Sequence, residues 1–445
     1  MVESNQVVRD GYKMTELGEI PVEWELVELA KLAKEEDRYS FCGGPFGSDL
    51  TSTEYTDSGV QIIQLQNIGD GSFNSNYKIY TSEEKADSLK KCNIFPGEIV
   101  IAKMAEPVAR ACIIPDYSPR FLMASDAIRL SPDIEKVNTV FLMYAINSNY
   151  FRKMAELNST GTTRLRIGLT TLAKLNVIYP TLLEQQKIAE ILSTVDEQIE
   201  NTKQLIEKTK ELKKGLMQQL LTKGIGHTEF KQTELGEIPV EWEIQSLVNL
   251  MEAGSTGVKR GPFGGALKKE YFVEEGFAVY EQQHVIYNQF NNIRYFISRE
   301  KFEELNGFEI LSGDILISCS GTVGRVTIVP DNIQRGVMNQ ALLRFRPKIE
   351  TVDSVFLYYL LTSDFMQAKM LDMTHGSTIK NMVAVSEIKE IKIGLPSKQE
   401  QQKIASILSS VNEQIESYEQ EKEKYLELKK GLMQQLLTGK IRVTV

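Results

Sequence analysis

The sequence is poor in the residues that usually announce chemistry. Three histidines, His227, His284 and His375, stand far apart among 445 residues, and four cysteines, Cys42, Cys92, Cys112 and Cys319, show no CxxC spacing. That pattern argues against a zinc cluster and reads as idle thiols in a reducing compartment. No GxxxxGK[ST] phosphate loop occurs, so nothing suggests a nucleotide-driven motor, and neither GxSxG nor HExxH is present. Pro-Pro is absent, and with it the Asn/Asp-Pro-Pro-aromatic motif of amino-methyltransferases. No apolar run approaches the roughly 18 residues of a membrane span. The opening MVESNQVVRDGYK lacks the apolar stretch of a secretory signal, so a cytoplasmic location is expected. The net charge of −9 argues mildly against nucleic acid as a partner, although a local basic face matters more than the total. These absences favour a chain that binds and scaffolds, with chemistry supplied by partners.

What the sequence does contain is itself, twice. TELGEIPVEWE runs from Thr15 to Glu25 and again from Thr233 to Glu243. EQQKIAEILSTVDEQIE (184–200) returns as EQQKIASILSSVNEQIE (400–416), and ELKKGLMQQLLT (211–222) returns unchanged at 427–438. A long period seen twice is a duplicated domain with its connector, not a solenoid. The segments between diverge. VQIIQLQNIGDGSFNS (60–75) and FAVYEQQHVIYNQFNN (277–292) share only Gln66/Gln283, Phe73/Phe290 and Asn74/Asn291. Near-constant parts fit one task performed twice, and variable parts fit two different tasks.

The constant parts predict two long helices. Ile188, Leu192, Val195, Ile199, Thr202, Ile206, Thr209, Lys213 and Leu216 fall at alternating 4- and 3-residue steps, with Ile404, Leu408, Val411, Ile415, Tyr418, Lys422, Tyr425 and Leu432 in the second copy. This is a heptad seam with charged outer faces. About 38 residues of helix would span roughly 57 Å. The Thr and Lys residues dilute each seam, so an antiparallel pair of the two helices is expected rather than two isolated ones. Trp24 and Trp242, the only tryptophans, are expected to anchor the repeated TELGEIPVEWE segments in their domain cores.

The variable parts mix short apolar strands (IFPGEIVIAKM, ILSGDILISCS) with helical stretches such as TVFLMYAINSNYFRKMA, giving an α+β class. The expected organisation is an N-terminal segment (1–26), a first domain (27–180), a central region (181–244), a second domain (245–396) and a C-terminal helix (397–445). GPFG occurs at 44–47 and 261–264, and STGTTRLRIG (159–168) is answered by THGSTIKNMV (374–383). Small, hydroxyl-bearing loops with a cation suit phosphate contact. Arg325, Arg335, Arg344, Arg346 and Lys348 form a local cationic run. Gln64, Gln66, Asn67, Gln282, Gln283, His284, Asn339 and Gln340 are of the type that reads base edges.

Together, TELGEIPVEWE before each domain, the GPFG loop, GTT/GST near each domain's end and EQQKIA[ES]IL opening each helix resemble the DNA-specificity subunit of type I restriction–modification systems. The motifs cover almost the whole chain, twice, in order. The resemblance implies two target-recognition domains joined by two long helices in an antiparallel coiled coil, with pseudo-two-fold internal repetition. Each domain would read half of a bipartite, asymmetric site in double-stranded DNA. Two methylation subunits would dock on the repeated regions, and restriction subunits would complete the complex. S-adenosylmethionine, ATP and Mg would belong to those partners, and the chain itself would hold no cofactor or metal and no catalytic residue. By position in matching loops, Phe46, Gly47, Thr162 and Arg164 of one domain and Phe263, Gly264, Ser377 and Lys380 of the other are the expected DNA contacts. Base reading falls to Gln64, Gln66 and Asn67, and to Gln282, Gln283 and His284. EPVARA (106–111) departs from SGTVGR (320–325), so the first domain lacks the small-residue run at that loop. Two rival readings remain at this point: a coiled-coil scaffold with two protein- or glycan-binding domains, and a fused nuclease or methyltransferase.

Overall fold

Repeated sequence folds into repeated structure. The computed structural model describes residues 8–104, 106–372 and 381–444. Its contacts divide the chain into two units, residues 1–203 with 420–445, and residues 204–419.

The two long helices run from Leu182 to Lys223 and from Lys398 to Leu436. Each contributes one half to each unit. Within the first unit the halves run antiparallel: Lys429 pairs with Asp196 at 2.6 Å, and Leu436 and Leu437 join one core with Ile188 and Leu192. Within the second unit Lys213 donates to Asn412 at 2.6 Å and Lys210 pairs with Glu419 at 2.8 Å. Every expected seam residue of the first helix is buried or half-buried, from Ile188 to Leu216. The dilution of the seam is therefore real, and it is resolved by cross-helix polar contacts at Lys213 and Lys429.

Each TELGEIPVEWE segment closes a hairpin, Tyr12–Thr15 with Gly18–Pro21 and Phe230–Thr233 with Gly236–Pro239. Its tryptophan is then buried, as expected. The indole N–H finds the first glutamate of the other repeated motif: Trp24 donates to Glu184 at 3.0 Å and Trp242 to Glu400 at 3.1 Å. A buried indole N–H needs such an acceptor. The two constant motifs thus clasp one another. In the first unit Arg442 donates to the far oxygen of Glu184, and in the second His227 sits 2.9 Å from Glu400. The turn after each helix packs on the clasp through a glycine of positive φ, Gly439 against Trp24 and Gly224 against Trp242. A side chain there would meet both the left-handed strain and the indole.

A strand pair draws the two ends of each variable segment together, Glu25–Glu28 with Asn176–Tyr179 and Glu243–Ser246 with Lys392–Leu395. Between them lies an antiparallel four-stranded sheet. Its order is Ala111–Ile113, Ile99–Ala102, Ala127–Leu130, Phe41–Gly43 in the first unit, and Val326–Ile328, Ile315–Ser318, Leu342–Phe345, Val258–Arg260 in the second. A second sheet carries one parallel pair, Val60–Ile63 with Phe121–Met123 or Phe277–Tyr280 with Gly336–Met338. The four-residue strands at the centres of the four-stranded sheets are buried throughout, as continuous apolar runs demand.

Candidate nucleic-acid interface

In each unit several loops meet where strands of both sheets end. In the first, the Gly44 N–H donates to the Ala127 carbonyl at 2.9 Å, and the Lys103 N–H to the Asp126 carbonyl at 2.8 Å. The Ile167 N–H then returns to the Lys103 carbonyl at 2.9 Å, which brings the 159–168 loop to the same end of the strand Ile99–Ala102. Gly44 has no room for a side chain, since a Cβ would stand 1.9 Å from the Ala124 carbonyl oxygen. Ala124 in turn bonds Ile63, so Gln64 to Asn67 start at the same edge. The second unit repeats the frame. The Gly261 N–H donates to Leu342 at 2.9 Å, Cys319 to Ala341 at 2.7 Å and Asn339 to Tyr280 at 2.8 Å.

The two GPFG loops hold their aromatic rings in solvent. Phe46 is 75% exposed and Phe263 71%, which is unusual for so large an apolar group and marks a contact surface. A cation accompanies each, Lys91 at 5.8 Å from the Phe46 ring and Arg260 at 5.6 Å from that of Phe263. Gly47 follows on the same loop, and Gly264 opens a short 3-10 turn, Gly264–Leu267. Thr162 and Arg164 are exposed on the neighbouring loop. Arg166, next but one, bridges to Asp126 at 3.0 Å. Ser377 and Lys380 lie outside the described residues.

Among the amides the structure separates two kinds. Gln66 is exposed, and Gln64, Gln282 and Gln283 are half-exposed. The Gln282 side-chain oxygen is buried without a hydrogen-bond partner among the described residues, and Gln282 lies beside Gly321. Asn67 and His284 must be withdrawn as base readers. Asn67 is fully buried; it accepts from the Gln64 N–H at 2.9 Å and donates to the Asn74 and Tyr77 carbonyls. His284, 1% exposed, accepts from the Glu281 N–H at 2.9 Å through Nδ1, and its Nε2 faces the Asn292 carbonyl at 3.0 Å. Both occupy the same place in the repeat and do the same work, pinning a turn and the loop behind it. Such saturated buried groups are structural.

The cationic run is corrected in the same way. Arg344 is buried and donates to the Glu309 and Thr256 carbonyls, Arg346 pairs with Asp314 at 2.8 Å, and Arg335 with Glu309 at 2.6 Å. Arg335 and Lys348 are exposed as well, but of the run only Arg325 adjoins the small-residue loop 320–324. The corresponding loop of the first unit turns inward, with Val108 and Ala109 buried. Sequence reasoning missed Lys103. It is half-buried at the root of both loops, with burial and then Arg166 holding its ammonium below the usual lysine range. A lone lysine after an apolar strand gives little signal by itself. Among the described residues no group of three or more His, Cys, Asp or Glu could hold a metal ion, and no helix is long and apolar enough to cross a membrane.

A frame built twice, presenting two unlike loop edges, defines a two-headed recognition protein. The model of the type I restriction modification DNA specificity domain matches residues 60–211 and 239–427, more than half of the chain, and the chain belongs to that family. The putative type I restriction enzyme MjaX specificity subunit of Methanocaldococcus jannaschii is 29% identical over 443 residues, 98% of this chain and 97% of that one. The MjaVIII specificity subunit of the same organism is 29% identical over 328 residues, covering 72% and 75%. Among solved structures, the type I S subunit from M. genitalium aligns with a TM-score of 0.52 at 18% identity, covering 93% of this chain and 96% of that one. A chain from work on assembly and conformational transition of the type I R-M system gives 0.59 at 14%, covering 95% and 99%. At such identity the structural likeness speaks for the fold alone.

Proposed function

We propose that this chain selects the DNA target of a type I restriction–modification complex, each loop edge contacting one half of a bipartite site. The observation that carries the reading is the pairing of a repeated backbone frame with unlike exposed side chains. Phe46, Gly47, Thr162 and Arg164 act in the first domain and Phe263 and Gly264 in the second, chiefly at phosphates, with Ser377 and Lys380 assigned there by sequence position. Base reading is assigned to Gln64 and Gln66, and to Gln282 and Gln283.

The duplicated frame serves two identical methylation subunits. Each unit carries a groove between its TELGEIP hairpin and the end of a long helix, about 680 Å³ in the first and 1060 Å³ in the second. The walls repeat: Lys429, Met433 and Gln434 in one, Lys213, Met217 and Gln218 in the other. Equivalent surfaces suit equivalent partners. Methylation and ATP-dependent cleavage, with S-adenosylmethionine, ATP and Mg, reside in the partner subunits, in the cytoplasm, and the helical pair sets the half-site spacing.

The test is genome-wide mapping of modified adenines in a host expressing this chain with its methylation subunit, with and without residues 245–396 exchanged. A split motif of which only one half changes is expected. A motif indifferent to the exchange overturns the two-reader model.

A further inference from the structure

The two domains share a cation at one place and deliver it from opposite strands. The hydrogen bonds of the frame fix which positions correspond. Gly44 and Gly261 make the same bond, so Gly43 stands where Arg260 does; Lys103 and Cys319 make the same bond, so they correspond as well. In the first domain Gly43 has no side chain, and the space is taken by Lys103: a Cβ on Gly43 would lie 2.7 Å from its Nζ. In the second domain the large residue sits on the other strand. Arg260 rises from the glycine's position, on the far side of the strand Leu342–Phe345 from the small Cys319. Burial pushes the Cys319 thiol up to about 11, and the charge of Arg260 opposes that rise. Neither cation forms an ion pair within 4 Å of a carboxylate among the described residues. Lys103 has one long contact, 3.3 Å to the Ser125 carbonyl, and the Arg260 Nε is buried without a partner among those residues. Unspent donors at the root of an exposed aromatic loop are poised for an acceptor from outside.

We propose that Lys103 and Arg260 are DNA-positioning residues that hold a backbone phosphate at the base of the GPFG loop in each domain. This rests on the DNA-recognition reading above and adds to it two contacts that loop matching does not supply. A phosphate is the fitting ligand because the domains differ in their readers but keep this charge. A group common to two unlike half-sites must bind what those half-sites have in common, which is the backbone and not the bases. Delivery from either strand fits as well, since a phosphate needs a cation at a point and accepts lysine or arginine.

The experiment relocates the charge in the full chain, co-expressed with its methylation subunit, and measures affinity for a duplex carrying the mapped site and for a scrambled duplex across salt. Lys103→Cys and Arg260→Gly remove the cation. Gly43→Arg with Lys103→Cys, and Arg260→Gly with Cys319→Lys, restore it from the opposite strand. Each single variant should weaken binding to both duplexes about tenfold and lower the slope of log affinity against log salt by about 0.9. Each double variant should recover most of both, and the methylation motif should stay the same throughout. Lys103→Met and Lys103→Arg give a second pair, lost and retained, for which tryptophan fluorescence checks folding. If the unsubstituted complex binds DNA while the single variants match it, or if folded double variants fail to recover, the assignment is wrong. A changed motif would make these residues base readers and also overturn it. An unsubstituted complex with no salt-sensitive DNA affinity would instead remove the DNA reading itself.

Discussion

Glutamate 184 is the joint on which the first clasp depends, and its removal can be worked out from its surroundings. The residue is 1% exposed and accepts from the Trp24 indole at 3.0 Å, the Thr181 hydroxyl at 3.0 Å and Arg442 at 2.7 Å. In Glu184→Ala the buried indole N–H loses its acceptor, at a cost of about 2 kcal/mol. Arg442 is 40% exposed and keeps Glu23 as a partner, so screening reduces its term to about 0.5 kcal/mol. Loss of a carboxylate in the first helical turn adds about 0.5 kcal/mol. The total is about 3 kcal/mol. Glu184→Gln keeps an acceptor for the indole and loses only the charge terms, about 1 kcal/mol. The two tryptophans fall one in each unit, so in a Trp242→Phe background fluorescence reports the first clasp alone. With a urea slope of about 3 kcal/mol/M, the midpoint should fall by about 1 M for alanine and about 0.3 M for glutamine. Equal shifts for the two variants would refute the reasoning, because the indole hydrogen bond would then carry none of the difference.

Other outcomes follow from the same geometry. Phe46→Ala and Phe263→Ala should change stability by less than about 0.5 kcal/mol, because both rings stand in solvent, yet reduce DNA affinity several-fold in binding titrations. Arg164→Ala should weaken cognate and random duplexes alike and flatten the salt dependence by about 0.9 in slope, whereas Gln66→Ala should alter the first half-site in a methylation map. His284→Ala should destabilise the second unit by about 2 kcal/mol through two lost buried hydrogen bonds, read as a lower denaturation midpoint, without selecting a new half-site; a new motif with unchanged stability would restore it as a reader. Matched insertions of one or two helical turns at 203/204 and 419/420 leave the contacts inside each unit in place, and should lengthen the non-specific spacer while preserving both half-sites.

Much of the scaffold was legible because it obeys local rules. The heptad steps placed Ile188, Leu192 and Val195 on the buried face, and the isolated tryptophans announced their own burial. What the repeat could not show is that its two motifs meet, since Trp24 and Glu184 are 160 residues apart. The site was legible only in part. An inward asparagine and an outward glutamine look alike in a sequence. Asn67 is inward because the following loop brings the Asn74 and Tyr77 carbonyls back to it, and that return is a tertiary event. One signal was available. Asparagine and histidine at one repeat position share the ability to accept at one atom and donate at another, which fits a common turn-pinning duty better than two unrelated readings of bases. Lys103 was invisible for a different reason, because its significance lies in the glycine across the sheet.

The frame also explains how one fold tolerates such divergence at its working edge. The bonds that set the loops are made by backbone groups: Gly44 to Ala127, Lys103 to Asp126, and their counterparts Gly261 to Leu342 and Cys319 to Ala341. Apart from the two glycines, whose places admit no side chain, these bonds ask nothing of the side chain, so lysine and cysteine can exchange places on them. The clasps and both ends of the seam, by contrast, are built from side chains that the repeat keeps nearly constant. Residues such as Gln66 and Phe46 therefore project from a surface whose position does not depend on what they are. Substitution there alters what is touched and leaves the fold unchanged, which is the condition for two readers of different sites to share one architecture.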